Sequence, residues 1–214
     1  AVGGSAGDAF AKRAGARPGL VDAVRILDVA AIPPGRIREL RAEAAAKAAG
    51  YSLVSWTGLT PVERLEGLAR LQEAMNDAPW DYEETRWDAE RVRERFDGNL
   101  ERTGATRYTV GAVHDESGEL AAFSELAVDP ECPEWGRQGD TAVLREHRGR
   151  RLGLLVKTAM LEWLAEAEPA LRRICTGNAA SNTYMIAINE RLGFRVHGPG
   201  TRHYELPVAA VLER

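Results

Sequence analysis

The stretch Gly139–Leu164, GDTAVLREHRGRRLGLLVKTAMLEWL, decides the fold. It reads as a short apolar strand (Thr141–Leu144), a basic, glycine-bearing turn (Arg145–Gly153) and a long apolar helix. A helix that opens directly after such a turn presents unpaired backbone N–H groups and the positive end of its dipole, and the two together bind anions. Arg145, His147, Arg148, Arg150 and Arg151 crowd the same turn, and Lys157 follows one helical turn in. The segment is therefore suited to a phosphorylated ligand.

Downstream of it, Leu171–Thr176 is a second short strand, and Ser181 or Asn182 caps a helix that Gly193 ends after Leu192. Phe194–His197 and Arg202–Val208 are terminal strands. Upstream, YSLVSWT (Tyr51–Thr57) is a strand, and Thr60-Pro61-Val62-Glu63 has the form of a capping box opening a helix to about Asn76. Asp88 caps a second helix that turns Val92, Phe96 and Leu100 inward. From Thr106 the period changes to two: TRYTVGAVHD and LAAFSELAV form a hairpin about Gly118. The order is strand, two helices, three strands, helix, strand, helix, two strands. It predicts a mixed α/β (α+β) fold, a mostly antiparallel sheet with helices on both faces and one parallel step across the central helix.

Residues 1–31 stand outside that order. FAKRAGAR (Phe10–Arg17) echoes INERLGFR (Ile188–Arg195), with Arg, Gly and Arg in register and a strand after each. Residues 1–31 are accordingly expected to be the tail of a preceding, mostly absent copy of the domain, whose removal leaves the rest folded. Residues 32–50 are expected to be a linker helix with a thin apolar face, 51–208 the domain, and 209–214 a C-terminal tail.

The net charge of −4 in 214 residues speaks against a general nucleic-acid binder, whose surface is basic. No run of apolar residues is long enough to span a membrane. The two cysteines, Cys132 and Cys175, and the four histidines make no metal-ligand spacing. No metal is expected, and a cytoplasmic location is.

With LREHRGRRLG feeding the central helix and SNTYMIAINERLGF near the C-terminus, residues 51–208 resemble the GNAT superfamily of acyl-CoA N-acyltransferases. Within it the chain is most similar to the C-terminal half of tandem, two-domain members of the mycothiol-synthase kind. The family pattern Arg/Gln-x-x-Gly-x-Gly/Ala falls on Arg148, Gly149, Arg150, Arg151, Leu152 and Gly153, with Arg151 in place of the middle glycine. The resemblance implies that this turn and Leu154 hold the CoA pyrophosphate. It also implies that Thr141, Ala142 and Val143 form a strand splayed from its neighbour, whose free amides bind pantetheine and polarise the thioester carbonyl. Arg151 departs from the pattern where a positive φ would be strained in a non-glycine residue.

The implied reaction is direct attack of an amine on acetyl-CoA or another acyl-CoA, which requires a base for the amine and favours an acid for the thiolate. The family often places a tyrosine four residues before Gly-Phe; here Asn189 stands there, expected to hydrogen-bond to the ligand at the catalytic position although asparagine cannot donate a proton as an acid. Asn182 keeps the usual asparagine seven residues earlier on the same face, and the resemblance implies that it too contacts the cofactor. Candidate bases are Asp140 and Glu125, with arginine-paired surface carboxylates as the alternative. An acidic, aromatic loop (Asp77, Trp80, Asp81, Tyr82, Glu83, Glu84, Trp87) is suited either to a cationic acceptor or to a solvated lid. The expected activity is transfer of an acyl group, acetyl first, to the amine of a small molecule. The alternative is a degenerate acyl-CoA-binding domain that supports a catalytic partner domain. The expected assemblies are a homodimer or association with a second GNAT domain.

Overall fold

The computed structural model describes residues 4–77 and 86–206. In chain order the helices are α1 (Ala6–Arg13), α2 (Arg36–Ala45), α3 (Leu65–Glu73), α4 (Ala89–Arg91), α5 (Gly98–Thr103), α6 (Leu152–Ala167) and α7 (Thr183–Leu192). The strands are β1 (Arg17–Asp28), β2 (Tyr51–Thr57), β3 (Thr106–His114), β4 (Leu120–Val128), β5 (Trp135–Val143), β6 (Arg173–Ala179), β7 (Arg195–Val196) and β8 (Thr201–Glu205). All eight join one sheet in the order β2-β3-β4-β5-β6-β1-β7, with β8 also on β1. Every pairing is antiparallel except β5–β6. From Tyr51 onward the element order is the expected one.

The sheet separates two apolar cores. On one face α6 lies against α2, with Leu40, Ala44, Leu152, Val156, Met160, Ile188 and Phe194 buried together. On the other, α3 and the turn after α4 bury Leu65, Leu68, Leu71 and Val92 against Leu120, Phe123 and Leu144. Residues 152–160 of α6 are buried on all sides, so this helix shows no polar stripe.

Two expectations about the N-terminal residues are corrected. Residues 1–31 are not separable: β1 sits inside the sheet, paired with β6 from Asp22↔Ala179 to Asp28↔Arg173 and flanked beyond by β7 and β8. Leu27 is 1% exposed in the larger core. Nor is residues 32–50 a loosely packed linker. Leu40, Ala44 and Ala48 are buried, because alanine lets α2 approach α6 closely, and Arg41 pairs with Glu162 on α6. Thr60 is a third correction. It does not cap a helix; its backbone N–H and its hydroxyl both go to the Asp97 carboxylate, and α3 begins only at Leu65. Asp88 does cap α4, accepting from the Arg91 N–H at 2.8 Å. Residues 80–84 of the acidic loop, the end of the last expected strand at 207–208 and the tail 209–214 lie outside the described residues.

Removing residues 1–31 should abolish cooperative unfolding, since it strips the partner from one whole edge of β6. Leu27→Ala, a milder change at the same place, should cost about 2–5 kcal/mol. Urea denaturation of both variants checks this; a truncated chain that still unfolds cooperatively would leave β1 dispensable.

Candidate functional site

The site forms where the parallel pair β5–β6 parts. The two strands are in register only over Trp135↔Arg173, Gly136↔Ile174 and Arg137↔Cys175. From Gln138 to Val143, β5 keeps β4 on one side and has no strand on the other among the described residues. Two cavities follow this open edge. One, of about 290 Å³, uses Thr141–Val143 with the turn His147–Gly153 and Asn182 at the start of α7. The other, of about 400 Å³, uses Arg137–Gly139 with β6 and the α5 region. Asp140 lies between them along β5.

The first cavity ends on the mouth of α6. Gly149 (φ 81°) and Arg151 (φ 59°) both take the left-handed backbone, and Arg151 is the only non-glycine to do so among the described residues. The helix has no side-chain N-cap, and the first helical bond runs from the Leu155 N–H to Arg151. The amides of Leu152 and Gly153 thus have no acceptor among the described residues, and they line the cavity through their residues. The left-handed Arg151 costs about 1 kcal/mol or more. Its side chain leaves the mouth clear by pairing with Glu43 of α2, which also takes Arg191 at 2.5 Å. Arg148 and Arg145 converge on Asp77, each at 2.8 Å, and Arg148 Nε donates to the Val143 carbonyl at 3.1 Å. Those two guanidiniums hold the Asp77 carboxyl below its ordinary value. His147, 8% exposed, is fixed between the Tyr51 hydroxyl at 2.7 Å and Glu119 at 3.0 Å. An open helix mouth with free amides beside guanidiniums fits a diphosphate.

At the centre the β4–β5 register shifts, so that Glu125 faces both Gly139 and Asp140. Its Oε1 accepts the Asp140 N–H at 3.3 Å, and a Cβ on Gly139 would displace the carboxylate from this position. Gln138 Nε2 braces the shift by donating to the Glu125 carbonyl at 2.5 Å and to Ser124 Oγ at 3.1 Å. Burial, and then the Asp140 charge, push the Glu125 carboxyl up to about 8, against the pull of Arg107. Burial also raises Asp140, with Gln72 beside it acting in the opposite sense. Glu125 opens into the second cavity; its nearest guanidinium atom, Arg107 Nε, is 3.9 Å away. Arg107 is otherwise held by Asp97, the Phe96 carbonyl (2.9 Å) and the Gly58 carbonyl (3.0 Å).

Most of the expected cofactor-binding residues come together: Thr141, Ala142, Val143, Arg148, Gly149, Arg151, Leu152, Gly153 and Asn182 line one cavity. Asn182 also caps α7, accepting from the Met185 N–H at 3.2 Å. Four residues do not fit as expected. Arg150 lies over the Tyr51 ring, 5.7 Å from its centroid, outside the cavity lining. Leu154 is a core residue at 2% exposure. Asn189 is fully buried and donates to Asn178 Oδ1 at 2.9 Å, away from the cavity walls, because its face of α7 turns into the sheet. Lys157 is not at the turn that opens α6; it is buried against Phe194 with its ammonium 5.6 Å from the ring centroid. Asp77 is a correction of another kind, since it clasps arginines and is not free to face an amine. Arg107, which lines the second cavity, and Asp97, which holds it from behind, carried no sequence signal: each looks like an ordinary charge on an exposed element.

A sequence model of the Acetyltransferase (GNAT) family matches residues 72–194. The chain belongs to that family. Among solved structures it is similar to a tandem GNAT protein from the clavulanic acid biosynthesis pathway, at 32% identity and a TM-score of 0.70 over 90% of this chain and 55% of that one. It is also similar in fold to a GCN5-related N-acetyltransferase from Sphaerobacter thermophilus, at 19% identity and a TM-score of 0.57 over 94% of this chain and 57% of that one. The chain thus spans little more than half the length of either. No functionally curated protein matches it significantly. Among the described residues no helix is long and apolar enough to cross a membrane.

Gly153→Asp should weaken acetyl-CoA binding by about tenfold or more, because a carboxylate at the helix mouth takes the amides that a phosphate would use. A Cβ there meets Ile188 Cδ1 at 3.4 Å and Val143 Cγ2 at 3.8 Å, ordinary contact, and circular dichroism checks that the variant is folded; a folded variant with unchanged affinity by calorimetry would place the phosphates elsewhere. Lys157 supplies a stability test. Burial pushes its amine down to about 7 from 10.5, so between those values the folded chain binds fewer protons than the unfolded one. Stability should therefore rise with pH across that window. Lys157→Met should flatten the rise and stabilise the protein at pH 6, as measured by urea unfolding at pH 6 and pH 9.

Proposed function

We propose that the domain is an acetyl-CoA-dependent N-acyltransferase that acetylates the amine of a small molecule, with Glu125 as the base. The observation that carries this reading is the position of Glu125, in the second cavity and beside the bulge at Gly139–Asp140, next to the β5 edge that leads into the first. Acetyl-CoA supplies an activated thioester carbonyl. The chain's part is to bind and aim: the amides of Gly149–Gly153 and Arg148 hold the diphosphate, and the unpaired edge at Thr141–Val143 takes the pantetheine amides in place of a strand. Glu125 receives the proton of the entering amine, a transfer typically worth about 10²–10⁴ in rate. Asp140, whose carboxyl burial also raises, is the neighbouring candidate on β5.

The degenerate acyl-CoA-binding alternative is favoured by one observation, the burial of Asn189 against Asn178, which leaves no proton donor at the position where the family often has one. A CoA thiol leaves readily enough near neutral pH for turnover without an acid, so the catalytic reading is preferred. Pairing with a second GNAT domain is part of the proposal. It is supported by the tandem neighbour and by the internal echo, since α1 and α7 each end at a left-handed glycine (Gly15, φ 81°; Gly193, φ 103°) followed by a strand.

Thiol release from acetyl-CoA with a panel of small amines tests transfer. In the active protein kcat/KM should rise with pH through about 8, because the ionised Glu125 is the working form. Glu125→Gln should remove that limb and lower kcat by about 10²-fold or more. Acetyl-CoA binding with no thiol released across the panel would favour the degenerate domain.

A further inference from the structure

The second cavity has a charge that the proposed amine alone does not explain. Its charged lining is Arg95, Arg107, Arg137 and Glu125. Arg107 is neutralised from behind by buried Asp97, yet its Nε is buried and has no hydrogen-bond partner, a donor left open beside Glu125. Arg95 and Arg137 have no carboxylate within ion-pair reach among the described residues; Arg137 acts on Glu125 only through space. Two unpaired guanidiniums and one open buried donor therefore face a single carboxyl. An ammonium entering such a cavity by itself meets like charge. An amine that brings its own anion does not.

We propose that the acceptor carries an oxyanion, carboxylate or phosphate, on the same small molecule as its amine, and that Arg137 and Arg95, with Arg107 Nε, hold that oxyanion while the amine reaches Glu125. The proposal rests on the acyltransferase reading for the amine, and adds the substrate's second group. Guanidinium is the side chain whose planar fork matches both oxyanions, and about 400 Å³ is at the small end of ligand cavities, as a metabolite of this kind requires.

Binding and transfer are measured separately. Calorimetry with the CoA-loaded protein compares ω-amino acids of three to six carbons, the matched ω-aminoalkyl phosphates and the matched neutral ω-aminoamides. At least one anionic series should bind about tenfold or more tightly than its amide, a fold-change in line with a charged hydrogen bond. The tighter series identifies the oxyanion. Arg137→Gln and Arg95→Gln, both at exposed side chains, should erase the preference and leave amide binding within about threefold, below the roughly 1 kcal/mol scale of an interaction lost. Equal binding of anion and amide, binding of neither, or a preference that survives both substitutions overturns the proposal. Thiol release with the same compounds reads the other question: a bound anionic amine that is never acetylated supports the oxyanion cradle and counts against the acyltransferase reading.

Discussion

Beyond Arg137 and Cys175 the strands β5 and β6 separate, and a buried strand edge cannot be left without hydrogen-bond partners unless water or a ligand supplies them. That one divergence sets the rest of the molecule. It exposes the β5 edge from Gln138 to Val143, it directs that strand into the turn that feeds α6, and it leaves room on both sides of Asp140 for separate cavities. β6 cannot rely on β5 over its second half, so its other edge must be secured. β1 does this, pairing with β6 as far as Ala179 while β5 has already left. The N-terminal strand is thus the structural counterpart of the splay.

Several locally unfavourable features cluster along the same line. Arg151 holds a left-handed backbone, the α6 mouth lacks a cap, and Glu125 and Asp140 are carboxyls raised by burial, Glu125 further by the Asp140 charge. Each costs of order a kcal/mol or more in a domain whose net stability is about 5–15 kcal/mol. Such features persist where the surroundings fix them. Here the fixing groups are identifiable: Glu43 for Arg151, Asp77 for Arg145 and Arg148, and Gln138 with Ser124 for the strand shift.

The sequence made the turn that opens α6 legible because its signal is local. Gly149, Gly153 and the arginines stand within one turn of a helix start, and Asn182 and Gly193 mark both ends of α7 by capping chemistry. What it concealed depends on contacts between distant segments. The periodicity of VDAVRILDV says strand but not beside what, and the alanines of α2 look like propensity until α6 is placed against them. Thr60-Pro61-Val62-Glu63 satisfies the capping pattern, yet Asp97, 37 residues on, competes for the same threonine and wins with three hydrogen bonds in a buried setting. Asn189 had the right helical position, but its burial against Asn178 is a property of the sheet below it.

Charge distribution ties these levels together. A chain of net charge −4 sets guanidiniums along the open side of β5; among the described residues Arg145, Arg148 and Arg151 are answered by Asp77 and Glu43, while Arg95 and Arg137 have no carboxylate partner. The difference follows from what each group must do. On the proposed reading, arginines at the turn need orientation, because backbone amides would supply a diphosphate's donors, and a neighbouring carboxylate orients them without filling the mouth. Arginines at the second cavity have no such amides behind them, since β6 at Gly177 and the α5 end present no helix mouth. On the proposed reading the guanidiniums there would themselves provide the donors, and a carboxylate partner from the protein would occupy the place of a ligand's oxyanion.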